Sequence, residues 1–146
     1  MSPIPSAVAG LIEGRADPAY LTTWVRDRPR VAPVWYGVRD GRLQVLVSRT
    51  KREQVEANPE VTAYIEATDG EDWFVTLRGT ASVSRDREAI NEAARQVYST
   101  YLGDDPEDWD PDRRVDLGLE PERYLVELDP GEVEAEGADV PTARPD

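Results

Sequence analysis

The chain has 146 residues, thirty acidic against seventeen basic, with a formal charge of −13 at neutral pH and neither cysteine nor histidine. That length suits one domain with a real core, and the charge repels nucleic-acid phosphates and anionic membrane headgroups. The missing residues exclude disulfides, thiolate nucleophiles, serine–histidine triads and histidine metal or haem sites, so redox chemistry would fall to a borrowed organic cofactor.

The acidic residues are dispersed rather than gathered into a ligand loop, so no metal site is expected. Surplus carboxylate with a single lysine is also what adaptation to concentrated salt produces, because screening removes the self-repulsion. No apolar run reaches bilayer-spanning length, and Met1 to Gly10 lacks the basic start of a secretory signal. The expected location is the cytoplasm.

Ala19 to Val25 is an apolar, β-branched run, and Asp27-Arg28-Pro29 reads as the turn after it. Arg30 to Val38 (RVAPVWYGV) is a second strand, which Pro33 demotes to an edge or an irregular segment. Asp40-Gly41 is a strong hairpin signal, with Arg42 to Ser48 as the returning strand. Thr50 and Glu53 have capping-box spacing for a short helix that Asn58-Pro59 ends.

Val61 to Ala67 is the next strand, followed by the turn Asp69-Gly70. Trp73 to Val83 is a long strand interrupted at Gly79, where a bulge or a close backbone approach would account for the absent side chain. From Arg85 the apolar residues Ile90, Ala93, Ala94, Val97, Tyr98, Tyr101 and Leu102 recur at helical spacing, with Ser84 as the expected N-cap and Gly103 as the stop. Asp104 to Asp112 reads as an acidic loop and Tyr124 to Leu128 as a sixth strand. The fold class is mainly β: a six-stranded antiparallel barrel with one main helix over residues 1–129, and an acidic disordered tail over 130–146.

Lys51 is the only lysine beside sixteen arginines, and it stands where a strand-like run hands over to a helix-like one. A helix start with hydroxyls, a cation and free N–H groups favours an anion. The same residues also suit a solvated basic edge.

The segments Tyr20-Leu21-Thr22-Thr23, Arg30 to Tyr36, Asp40-Gly41, Val47 to Val61, Arg78-Gly79-Thr80-Ala81 and Tyr98 to Gly103 come in an order that resembles the flavin-binding split-barrel superfamily. That group includes the pyridoxamine 5′-phosphate oxidase family and its deazaflavin-dependent relatives, and the resemblance covers about Ala16 to Leu128. It implies an FMN-binding type of split barrel and a homodimer with FMN or a deazaflavin coenzyme at the subunit interface. It also implies an oxidoreductase acting on a small organic substrate. The ring-side positions it implies are Val31, Ala32, Pro33 and Val34. The phosphate positions are Val47, Ser48, Arg49, Thr50, Lys51 and Arg52, and no catalytic side chain is singled out.

Trp35, Trp73, Tyr98 and Tyr101 read as packing residues, and Arg78 as a partner for surface acids. A true pyridoxamine phosphate oxidase carries a C-terminal arginine–histidine motif. Here the last strand runs into Asp129-Pro130-Gly131 with no histidine, which speaks against conversion of pyridoxamine phosphate and against haem-degrading activity. The alternative expectation is a non-catalytic flavin-binding or stress-related split-barrel protein.

Overall fold

The structure is a computed structural model that describes residues 3–103, 124–138 and 140. A short helix α1 (Ser6–Ile12) precedes strands β1 (Ala19–Val25), β2 (Arg28–Val34), β3 (Tyr36–Arg39) and β4 (Arg42–Val47). Helix α2 (Arg49–Ala57), strands β5 (Glu60–Glu66) and β6 (Phe74–Ser84), helix α3 (Arg87–Leu102) and strand β7 (Tyr124–Glu136) follow. The fold is mainly β, a curled antiparallel split barrel, and it has seven strands rather than the expected six.

The extra strand arises at Trp35. The stretch expected as one strand is two, because its first half pairs with β1 and its second half with β4. The strand order is β2-β1-β5-β6-β7-β4-β3, so the two edges of the sheet are consecutive in the chain and one residue apart. A sheet whose edges are tied by a single residue has to curl, and Trp35 is its seam. As an edge strand, β2 tolerates the N–H groups that Pro29 and Pro33 lack.

Turn chemistry sets the hairpins. Asp40 and Gly41 both have positive φ, and Arg39 pairs with Arg42 across them, as the dipeptide foretells. The first hairpin turns at Arg26-Asp27, one residue before the expected position, since both take the left-handed conformation and Val25 already pairs with Arg28. Gly79 marks an irregularity: the β6–β7 register shifts between Arg78 and Gly79, and a Cβ there would lie 2.0 Å from the Asp129 carbonyl oxygen. The close approach expected from sequence is present.

The sixth expected strand does not stop at Leu128 but runs as β7 to Glu136, so residues 130–136 of the expected tail are paired with β6. Beyond the irregularity Val133 and Ala135 are partly buried while Glu132, Glu134 and Glu136 are exposed. The two-residue alternation was hidden by the acidic composition. The rest of the tail, except 137, 138 and 140, and the expected acidic loop lie outside the described residues.

Inside the barrel Leu21, Val45, Val61, Ile65, Val75, Leu77, Val126 and Leu128 form the core. Each such side chain contributes about 1.5–3 kcal/mol by leaving water. Helix α3 covers the other face of the sheet, packing Ile90 and Ala93 on Leu125. Its N-cap is Asp86, whose carboxylate accepts from the Glu88 N–H, while Ser84 instead accepts from the Asp86 N–H. Gly103 ends it in the left-handed conformation, as expected.

Candidate functional site

Helix α2 is capped by Ser48, whose hydroxyl accepts from the Lys51 N–H at 3.5 Å; the Thr50 box expected from sequence is displaced two residues upstream. This cap places Lys51 on the first turn, facing the β1–β2 hairpin. Its ammonium donates to Thr23 Oγ1 at 3.2 Å, and the Thr23 hydroxyl donates in turn to Gln54 Oε1 at 2.9 Å. Thr23 is fully buried, so the lysine is moored to the rigid part of the sheet. Desolvation, and then the like charge of Arg30, hold the Lys51 pKa below its ordinary value.

Arg30 is the cross-strand partner of Thr23 and so shares its face of the sheet. Its role was not read from the sequence. The signal available was its two-residue offset from Ala32, which places both on one face of β2. Arg28 is two residues further along that face, opposite Val25.

A cleft of about 540 Å³ opens beside Lys51. Strand β2 and the seam contribute Ala32, Pro33, Val34 and Trp35; β4 and the α2 cap contribute Leu46, Val47, Ser48 and Lys51; α3 contributes Val97 and Tyr98. One end is cationic and hydroxylic, and the rest is apolar and aromatic. Trp35 stacks on Tyr101 at 4.8 Å and 11° and meets Tyr98 edge-on at 5.8 Å, so its indole is held as a fixed wall.

Of the ten positions expected from sequence, six line this cleft: Ala32, Pro33, Val34, Val47, Ser48 and Lys51. Val31 is 63% exposed and Thr50 is exposed, neither lining the cleft. Arg49 pairs with Glu53 at 3.4 Å. Arg52 pairs with Glu53 and Glu56 and lies over the Tyr124 ring at 4.5 Å.

Arg15, Arg39, Arg42, Arg49, Arg52 and Arg85 all pair with carboxylates. Arg26, Arg28, Arg30 and Lys51, at the β1–β2 hairpin and the α2 start, form no ion pair among the described residues, and neither does Arg78 on β6. Lys51 and Arg30, near enough for their like charges to be felt, form a local positive field beside the cleft.

A second cleft of about 570 Å³ lies over β5 and β6 and brings Trp24 and Arg78 together with Asp27, Glu60 and Glu132. Three carboxylates against one guanidinium make it a poor anion site. Trp73, by contrast, is buried under Arg15, which ties Asp17, Asp69 and Glu71 together.

Among the described residues the cleft lining includes no carboxylate. The Tyr101 hydroxyl accepts from the Tyr36 N–H at 3.3 Å and donates to the Asp17 carbonyl at 2.5 Å, and burial pushes its pKa up to about 12. It braces the seam. What the cleft can do is hold a flat, largely apolar group against β2 with an anion at Ser48 and Lys51. A flavin-type cofactor fits that donor set, since a ring and a phosphate need those two surfaces.

The family model described as pyridoxamine 5′-phosphate oxidase matches residues 11–136. No curated protein matches the chain significantly. Among solved structures, a conserved hypothetical protein from Mycobacterium tuberculosis is 20% identical with a TM-score of 0.76, covering 94% of this chain and 85% of that one. A protein named F420 reductase is 20% identical with a TM-score of 0.68, covering 90% of this chain and 98% of that one. An FAD-binding protein from Mycobacterium smegmatis is 19% identical with a TM-score of 0.59, covering 92% and 97%. At such identities these likenesses establish the shared fold, while the family match spans most of the sequence: the chain belongs to the pyridoxamine 5′-phosphate oxidase family.

Proposed function

We propose that this one-domain protein is a cytoplasmic oxidoreductase that binds FMN or a deazaflavin coenzyme in the Lys51 cleft and serves a small organic acceptor. The observation that carries the reading is Lys51: the chain's single lysine, unpaired with any carboxylate among the described residues, moored on Thr23 at the mouth of an apolar cleft. The names of two fold relatives, an F420 reductase and an FAD-binding protein, point the same way.

The bound coenzyme would supply the hydride or electron chemistry. The chain's own work is binding and orientation. Backbone of Ala32 to Val34 and the fixed indole of Trp35 face the ring, and Ser48, Lys51 and Arg30 take the phosphate through hydroxyl and charge. We further propose a homodimer: Tyr20, Tyr64 and Phe74 form an aromatic row on the outer sheet face, with centroids 6.5 and 5.6 Å apart, and Tyr20 is 37% exposed.

The visible absorption spectrum of freshly purified protein tests the reading. FMN and deazaflavin have different band shapes, so a bound chromophore identifies its class. Failure to retain or take up either coenzyme would overturn it.

A further inference from the structure

Two wall residues of the Lys51 cleft are held by one residue that lies outside it. Pro18 lines the cleft between α1 and β1, and its neighbour Asp17 is 3% exposed. The Asp17 carboxylate accepts from the Thr68 N–H at 3.2 Å, from the Thr68 hydroxyl and from Arg15 Nε at 2.6 Å. Its carbonyl accepts from the Tyr101 hydroxyl at 2.5 Å. Asp17 is therefore gripped from two sides, by the segment that follows β5 and by the last turn of α3.

Little slack separates this anchor from the cleft. Proline fixes its own φ at about −65° and restricts the residue before it to extended backbone, so the place of Asp17 decides where the Pro18 ring stands. A second path runs through Tyr101, whose hydroxyl is engaged by the Asp17 carbonyl while its ring stacks on Trp35 at 4.8 Å. Pro18 and Trp35 both line the cleft. The opposite, anion-binding end at Ser48 and Lys51 is fixed separately, by the α2 cap and by Thr23.

We infer that Asp17 is a positioning residue for the coenzyme ring: through Pro18 on one path and through Tyr101 and Trp35 on the other, it sets the wall against which the ring lies. A buried ion pair adds little net stability once desolvation is counted, and what the Asp17 carboxylate contributes is a fixed geometry. The inference rests on the cofactor reading above and divides that site into two separately anchored halves, one for the ring and one for the phosphate.

Titrations of FMN and riboflavin, with unfolding midpoints measured alongside, test it. Asp17→Ala removes every carboxylate contact and should weaken both ligands by the same factor, roughly five- to tenfold, because a loosened wall must be ordered again on binding. The visible band of bound riboflavin should shift as well, since the surroundings of the ring change. Asp17→Asn keeps an oxygen for the Thr68 N–H and hydroxyl and should recover most of the affinity. Asp69→Asn removes an exposed partner of Arg15 without touching the contacts between Asp17 and Thr68, and should leave both affinities within about twofold. Thr68→Val loses only a hydroxyl, so it decides the matter if Asp17→Ala does not fold, with a loss of about threefold expected for both ligands alike.

Unchanged affinities in folded variants whose unfolding midpoints have dropped would overturn the inference by making Asp17 a group of the fold alone. A loss confined to FMN would overturn it too, by placing the effect at the phosphate. Wild-type protein that binds neither ligand would sink the cofactor reading and the inference together, whereas Lys51-dependent FMN binding indifferent to Asp17 and Thr68 would remove only the inference.

Discussion

Lys51 Nζ donates to Thr23 Oγ1 at 3.2 Å, which fastens the first turn of α2 to the middle of β1 across the mouth of the cleft. A flexible side chain is thereby held before any ligand arrives, so little rotamer entropy remains to be lost on binding. Lys51→Ala should weaken FMN binding by roughly ten- to a hundredfold, the value of a charge-assisted contact of about 1.5–3 kcal/mol. Arg52→Ala should have a smaller effect, because that guanidinium is engaged with Glu53, Glu56 and the Tyr124 ring. Fluorescence titration of both variants checks the contrast.

The depressed Lys51 pKa has two consequences of definite sign. A phosphate prefers the ammonium, so affinity for FMN should fall as pH rises through the folded-state pKa, which lies below the ordinary 10.5. Stability of the empty protein moves the other way: the unfolded chain binds the proton more tightly there, so this group's contribution to stability rises with pH across the same window. Lys51→Arg keeps the charge and should abolish the alkaline loss of affinity, which binding measured from pH 7 to 11 would reveal.

Tyr101 braces the barrel seam in two separable ways. Tyr101→Phe removes the hydroxyl contacts with the Tyr36 N–H and the Asp17 carbonyl and should cost about 1–3 kcal/mol. Tyr101→Leu loses the stack on Trp35 too and should cost about 0.5–1.5 kcal/mol more. Denaturant midpoints of the two variants separate the contributions, and identical midpoints would mean that the stack adds nothing.

Gly79→Ala should destabilise by about 1–3 kcal/mol or more, because its Cβ would lie 2.0 Å from the Asp129 carbonyl oxygen and 2.8 Å from the Gly131 nitrogen, both backbone atoms. Thermal unfolding reads the change directly. A wild-type midpoint would show that the two strands part easily at the register shift.

If the charge of −13 reflects life in brine, lowering the ionic strength should destabilise the fold as repulsion among the carboxylates is unscreened. Unfolding midpoints should climb across a salt series. A midpoint indifferent to salt would leave the acidity without that explanation.

The elements legible in the sequence are those set by local chemistry. Asp40-Gly41 had to turn because both residues accept positive φ, Gly79 had to lie where a neighbouring backbone leaves no room, and Gly103 had to end a helix. What was not legible depends on partners distant in sequence. Whether RVAPVWYGV is one strand or two is decided by β1 and β4 competing for its halves, and the acidic run after Pro130 is a strand only because β6 is there to pair with it.

The site divides along the same line. Ser48 and Lys51 could be read from a local helix start, although the cap itself fell to Ser48 rather than Thr50. Thr23 and Arg30 reach Lys51 only through the fold: Thr23 is 28 residues from Lys51 in sequence, and only their pairing puts the arginine beside them. The pairing of Arg49 and Arg52 with acids on their own helix likewise depends on which way each side chain turns.

The most direct measurement is a paired titration of FMN and riboflavin into wild-type protein and Lys51→Ala, since the two ligands share a ring and differ in the phosphate. The account predicts that wild type binds FMN more tightly than riboflavin, and that Lys51→Ala erases most of this difference while leaving riboflavin nearly unchanged. Equal affinities for the two ligands in wild type, or equal losses of both in the variant, would contradict it.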